Sequence, residues 1–156
     1  MLSIFIGFGG TKAEEVAKKL ESFLRNETKM ETFLASPLSR TLSASSADYG
    51  AKITQSLIDC HVAVFVCHKY SPRSEPLKNE IDLLFSRNFE NKIILFSASD
   101  NCIPSKFRAK LWHPLHFPPE KPEESFCRLV NEIYRCYIER QESARIVTED
   151  TELIGQ

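Results

Sequence analysis

Apolar and polar positions fall into short blocks along this chain. Residues 3–8 (Ser-Ile-Phe-Ile-Gly-Phe) form a β-rich run that Gly9-Gly10 closes. Ala13, Val16, Ala17, Leu20, Phe23 and Leu24 then recur at spacings of three and four, which predicts an amphipathic helix. Thr11 is placed to cap it, with Glu14 in capping-box position three residues on. Residues 31–35 predict a weak second strand. Residues 36–46, rich in serine with Pro37 and Arg40, predict a long loop. A helix is expected over 48–59, with Ile53, Leu57 and Ile58 inward.

Residues 62–67 (Val-Ala-Val-Phe-Val-Cys) are the strongest strand. A continuous apolar run of this kind belongs to a strand covered on both faces, as in a parallel sheet. The polar segment 68–73 holds Tyr70 and Pro72. A helix from near Ser74 to about Arg87 carries Leu77, Ile81, Leu84 and Phe85 on one side. Pro76 lies in its first turn, where a missing N–H is harmless. Residues 92–97 predict another buried strand, and Leu115-His116-Phe117 a short edge strand among prolines. Phe126, Leu129, Val130, Ile133, Tyr134 and Tyr137 mark a closing helix. Beyond it, Glu149, Asp150 and Glu152 sit in a stretch without periodicity. A domain over 1–141 and a flexible acidic tail over 142–156 are expected.

Strands thus alternate with helices. The pattern predicts an α/β fold: a flavodoxin-like, three-layer, open and mostly parallel five-stranded sheet with helices on both faces. Ligands of such sheets bind at the carboxyl ends of the strands. Here those ends are residues 8–10, the loop 36–46, and segments 68–74 and 97–101.

Composition narrows the function classes. The 156 residues suit one domain, and 42% hydrophobic with 26% charged residues excludes a disordered chain. Lys+Arg number 20 and Asp+Glu 21, a net charge of −1, which argues against a general nucleic-acid binder. The 5 cysteines are odd in number and lack C-x-x-C spacing, so neither a disulfide framework nor a cysteine-rich zinc site is expected. Apolar surroundings for Cys60, Cys67, Cys127 and Cys136 suggest a reducing, cytoplasmic setting. No signal peptide or membrane span is expected at the N-terminus.

Two places stand out for chemistry. Gly7-Phe8-Gly9-Gly10-Thr11 follows the first strand and opens a helix, where backbone N–H groups can approach a phosphate. It lacks the full dinucleotide fingerprint and the Gly-Lys-Ser/Thr of a Walker loop, and a tight strand-to-helix turn explains it equally well. Glu80 lies on the border of the apolar face of the helix after the strongest strand. A carboxylate there is partly desolvated and suited to face developing positive charge, although an ordinary snorkelling glutamate fits the position too. His68, His113 and His116 lie near strand ends without metal-ligand spacing, so no metal site is expected. The serine-rich segments lack a G-x-S-x-G elbow. Trp112 is expected to pack near the sheet edge.

Taken together these pieces resemble a Toll/interleukin-1 receptor (TIR) domain over about residues 1–141. The opening strand is similar to the family's F-I-S-Y or F-I-G. Residues 36–48 fall where the family has its BB loop, and residues 59–66 resemble its third strand. The segment Tyr70-Ser71-Pro72-Arg73-Ser74-Glu75-Pro76-Leu77-Lys78-Asn79-Glu80 is similar to the family's S-x-W-C-x-x-E, with Ser74 on the serine and Glu80 on the glutamate. Pro76 and Leu77 replace the tryptophan and cysteine, and the loop lacks the family's R-P-G. These departures mark a divergent, microbial-type member.

The resemblance implies an NAD+ nucleosidase that cleaves the nicotinamide–ribose bond, as a glycohydrolase or as a cyclase forming cyclic ADP-ribose. Immune or anti-phage signalling is the implied setting. Glu80 is the implied catalytic residue. Phe8, Gly9, Gly10, Thr11, Arg40, Tyr70 and Ser74 are the implied substrate-binding residues. NAD+ is substrate rather than cofactor, and no metal is required. The implied partners are other TIR domains through self-association and a separate sensor or effector protein, not nucleic acid or a membrane. Two alternatives stay open: a non-catalytic TIR interaction module and a nucleoside deoxyribosyltransferase-like enzyme.

Overall fold

The computed structural model describes residues 1–35, 46–111 and 113–154. Five strands make one sheet: β1 (Ser3–Gly9), β2 (Glu31–Leu34), β3 (Val62–Cys67), β4 (Ile93–Ser97) and β5 (Leu115–His116). Its order is β2-β1-β3-β4-β5, and every pairing is parallel. The flavodoxin-like order expected from the alternation of elements is therefore present. The chain leaves β1 toward one edge and β3 toward the other, which opens a crevice at the carboxyl ends of these two strands.

Helices α1 (Thr11–Glu27) and α5 (Phe126–Ile154) cover one face; α2 (Ser46–Asp59), α3 (Glu75–Ser86) and the short α4 (Ser105–Arg108) cover the other. Strand alternation assigns the core to the two faces. Ile4, Ile6, Phe8, Val62, Val64 and Val66 pack with Ala13, Val16, Leu20 and Leu24 of α1 and with Leu129 and Ile133 of α5. Phe5, Ala63, Phe65 and Cys67 pack with Leu57 of α2, with Leu77, Ile81 and Leu84 of α3, and with Phe107. All of β3 is buried, as its unbroken apolar run requires.

The odd-numbered face of β1 reads Phe5-Gly7-Gly9, and its two glycines admit α3. A Cβ at position 7 would lie 2.7 Å from the Phe65 ring and 3.0 Å from Glu80 Oε1; one at position 9 would lie 2.7 Å from Ser74 Cβ. Gly7 and Gly9 are thus strand residues that permit close packing, and the turn itself falls to Gly10, with φ 90.

Three expectations change. Thr11 does not cap α1: Gly10 holds the N-cap position, no side chain caps the helix, and Thr11 is its first residue. The sharp turn needs a left-handed residue there, and that requirement displaces the hydroxyl from the capping site. Residues 142–154 are helical, because α5 runs through Ile154. Intrahelical pairs such as Arg135–Glu139 and Arg145–Glu149 support it, and a helix already nucleated on the core propagates cheaply. Lys92 lies buried just before β4, where its ammonium donates to the carbonyls of Ile58 and Cys60, each at 3.0 Å. It closes the carboxyl end of α2, and burial lowers its pKa.

Gly7→Ala presses a methyl on Phe65 and the Glu80 carboxylate, and should destabilise the fold by about 1–3 kcal/mol in urea denaturation. Burial also pushes the Cys67 thiol up to about 12, from an ordinary 9.0. The native state therefore keeps a proton that the unfolded chain loses above pH 9. Stability should fall as pH rises between these two values, by up to about 1.4 kcal/mol per unit from this group. Chemical denaturation at successive pH values should show a shallower alkaline fall in Cys67→Ala than in the parent.

Candidate functional site

The carboxyl end of β1 meets the amino ends of α1 and α3. Ser74 caps α3, its hydroxyl accepting the Leu77 N–H at 3.3 Å. Ser71, in the 3-10 turn Ser71–Arg73, is fully buried. Its hydroxyl donates to the Gly9 carbonyl at 2.6 Å and accepts the His68 N–H at 2.7 Å. One side chain thus clamps the end of β1 to the loop after β3. It sets the position of the loop from which α3 starts.

Glu80 is 7% exposed, well inside the molecule rather than snorkelling to water. It lies between Leu77 and Ile81 on the inner side of α3, above Gly7. Glu80 lines a cavity of about 220 Å³ together with Phe8, Gly10, Thr11, Glu14, Ala35, Ser74 and Pro76. Two helix N-termini converge on this space, with Thr11 opening α1 and Ser74 capping α3. Their first-turn N–H groups and positive dipole ends favour an anion.

Five of the expected site residues therefore share one cavity: Phe8, Gly10, Thr11, Ser74 and Glu80. Gly9 packs against Ser74 and Leu77 and is not among the lining residues. Tyr70 lies beyond the wall that Gly10 forms, against a different cavity. Arg40 and the loop around it fall outside the described residues, as does Trp112. The histidines do not reach the Glu80 cavity. His68 Nδ1 accepts the Lys69 N–H at 2.7 Å, and His116 Nε2 lies 3.1 Å from Asp100 Oδ1. His113 has a left-handed backbone, with φ 58. Among the described residues no group of three His, Cys, Asp or Glu side chains could hold a metal ion. No described helix is long and apolar enough to cross a membrane.

Sequence reasoning passed over three lining residues. Glu14 was accounted for by the expected capping box, yet it pairs with Lys18 at 3.1 Å and borders the cavity. Pro76 and Ala35 line it as well. Gly7 makes room for the carboxylate, and its place on the odd face of β1, opposite a helix with an inward glutamate, was the signal available.

No family model matches the sequence, and no curated protein does. Among solved structures, the crystal structure of a prokaryotic SEFIR domain matches with a TM-score of 0.64 at 16% identity. The match covers 86% of this chain and 93% of that one. A likeness at that identity is one of fold: this chain shares the parallel α/β architecture of that domain.

Ser71→Ala removes both hydrogen bonds of the clamp and leaves the Gly9 carbonyl and the His68 N–H to find other partners. A loss of about 1–3 kcal/mol is expected, read as a lower urea midpoint. Hydrogen exchange at residues 8–10 and 68–73 should quicken beyond the change elsewhere.

Proposed function

We propose that this chain is a TIR-like NAD+ nucleosidase with Glu80 at the reacting carbon. The observation that carries the proposal is a buried glutamate lining a cavity between two helix N-termini, at the switch point of a parallel sheet. Nicotinamide departs from NAD+ as a neutral base, so the reaction needs no strong acid. Positive charge develops on the ribose ring as the bond breaks. A carboxylate fixed beside that carbon attracts it more strongly as the charge grows, and the water-poor setting strengthens the attraction. Glu80 also accepts hydrogen bonds from ribose hydroxyls. First-turn N–H groups at Thr11 hold the neighbouring phosphate. Water capture of the ribosyl cation gives ADP-ribose; capture by the adenine of the same molecule gives a cyclic product.

The cavity volume favours a second reading. About 220 Å³ lies below the roughly 300–1,000 Å³ of sites that enclose organic ligands, and it holds a ribosyl nicotinamide rather than a whole dinucleotide. A TIR-like module that acts by self-association alone needs no larger space. An enzyme needs further walls, which association of chains would supply.

Incubation of concentrated protein with NAD+, with products resolved by chromatography and mass, separates the two. The nucleosidase releases nicotinamide, and Glu80→Gln and Glu80→Ala lower the rate at least a hundredfold with unchanged circular dichroism. Absence of NAD+ loss at any protein concentration, together with self-association in ultracentrifugation, overturns the enzyme in favour of the module.

A further inference from the structure

A second cavity opens on the other side of the loop after β3. Its volume is about 400 Å³, and it lies between that loop and the turn that follows β4. Pro72, Ala98 and Pro119 give it apolar walls, Asn101 a polar edge, and Lys69 and Arg73 two cations. No carboxylate lines it among the described residues. The neighbouring Asp100 is exposed, lies 3.1 Å from His116 Nε2, and does not line the cavity. Neither Lys69 nor Arg73 forms a salt bridge with a described residue.

Tyr70 organises these cations. Lys69 Nζ lies 5.1 Å and the Arg73 guanidinium carbon 5.7 Å from the centroid of its ring. The negative face of the ring attracts both. Tyr70 does so from a left-handed backbone, with φ 73, and as a residue 51% exposed. That conformation costs a bulky residue about 1–2 kcal/mol, and an exposed ring returns little of it through core packing. The strain is retained at the mouth of a cavity, on the carboxyl edge of the sheet.

We propose that this cavity binds a nucleoside diphosphate. Lys69 and Arg73 take the phosphates, in charge-assisted hydrogen bonds. The base lies against Pro72, Ala98 and Pro119, with Asn101 at its polar edge. The volume suits an organic ligand and exceeds what a free phosphate fills. The ligand has two possible sources. The cavity adjoins the Glu80 cavity through Gly10, where a Cβ would lie 3.2 Å from the Lys69 carbonyl and 3.6 Å from Tyr70 Cβ. The distal half of a dinucleotide reaching over that wall has the required chemistry, and so does a free nucleotide. The assignment stands on this cavity and not on turnover at Glu80.

Calorimetric titration of the full chain with ADP tests it. The parent and Glu80→Gln should bind alike, so failed turnover and failed nucleotide binding are read apart. Lys69→Glu and Arg73→Glu should each weaken ADP at least tenfold, and adenosine should bind at least tenfold more weakly than ADP. Tyr70→Phe should keep the affinity. Tyr70→Asn, whose side chain tolerates the left-handed region, should lose at least fivefold while its melting temperature holds or rises. A purely structural tyrosine would give the opposite pattern. Titrating NAD+ into the ADP-loaded Glu80→Gln protein identifies the source: mutual exclusion marks the distal half of a dinucleotide, and joint binding marks a separate nucleotide. No ADP binding at millimolar concentration, or binding unchanged in both charge reversals, overturns the proposal.

Discussion

Helix α3 approaches β1 so closely that two positions on the strand have no room for a side chain. Gly7 faces the Phe65 ring and the Glu80 carboxylate, and Gly9 faces Ser74 and Leu77. This approach brings an acidic side chain of α3 against the central sheet instead of leaving it in water. Burying a carboxylate is unfavourable by itself, so a fold that holds one beside a cavity preserves it against a standing energetic pressure. The Ser71 hydroxyl fastens the same junction from the loop side through the Gly9 carbonyl.

The loop between β3 and α3 also divides the carboxyl edge of the sheet in two. On one side lies the small space under Glu80, between two helix ends of positive potential. On the other lies the larger space ringed by Lys69, Tyr70 and Arg73. Gly10 is the thin wall between them, and its missing side chain lets the Lys69–Tyr70 backbone come near. A single short segment therefore controls the acidic cavity through its capping serine and the basic one through its aromatic ring.

Much of this was legible in the residues. The unbroken run of β3 marked a strand buried on both faces, and the three-four spacing of α1 marked its inner side. Ser74 before Glu75-Pro76 marked the start of α3, since a hydroxyl cap followed by an early proline is a local signal. The glycines of β1 were legible as important but not in their use. Their pattern resembles a phosphate loop, whereas Gly7 and Gly9 serve packing from within the strand. Lys92 is the first residue of the buried strand expected over 92–97; its contact with the end of α2 had no local sign, because the carbonyls that hold it lie more than 30 residues away. The helical course beyond residue 142 depends on propagation from a docked segment, which the periodicity of an isolated window does not register.

Local pattern in the chain determined the elements, their order and thus the layered parallel sheet, because hydrophobic period and capping act over a few residues. It also marked Glu80 as a border position on its helix. Tertiary structure decided that this border faces inward, since only the glycines of a strand far away in sequence admit the carboxylate. It likewise decided that Tyr70 and Glu80 lie in separate cavities, as Gly10 and the loop after β3 meet between them. Such contacts join residues that no local window contains, so their geometry emerges only when the sheet and its helices close on one another.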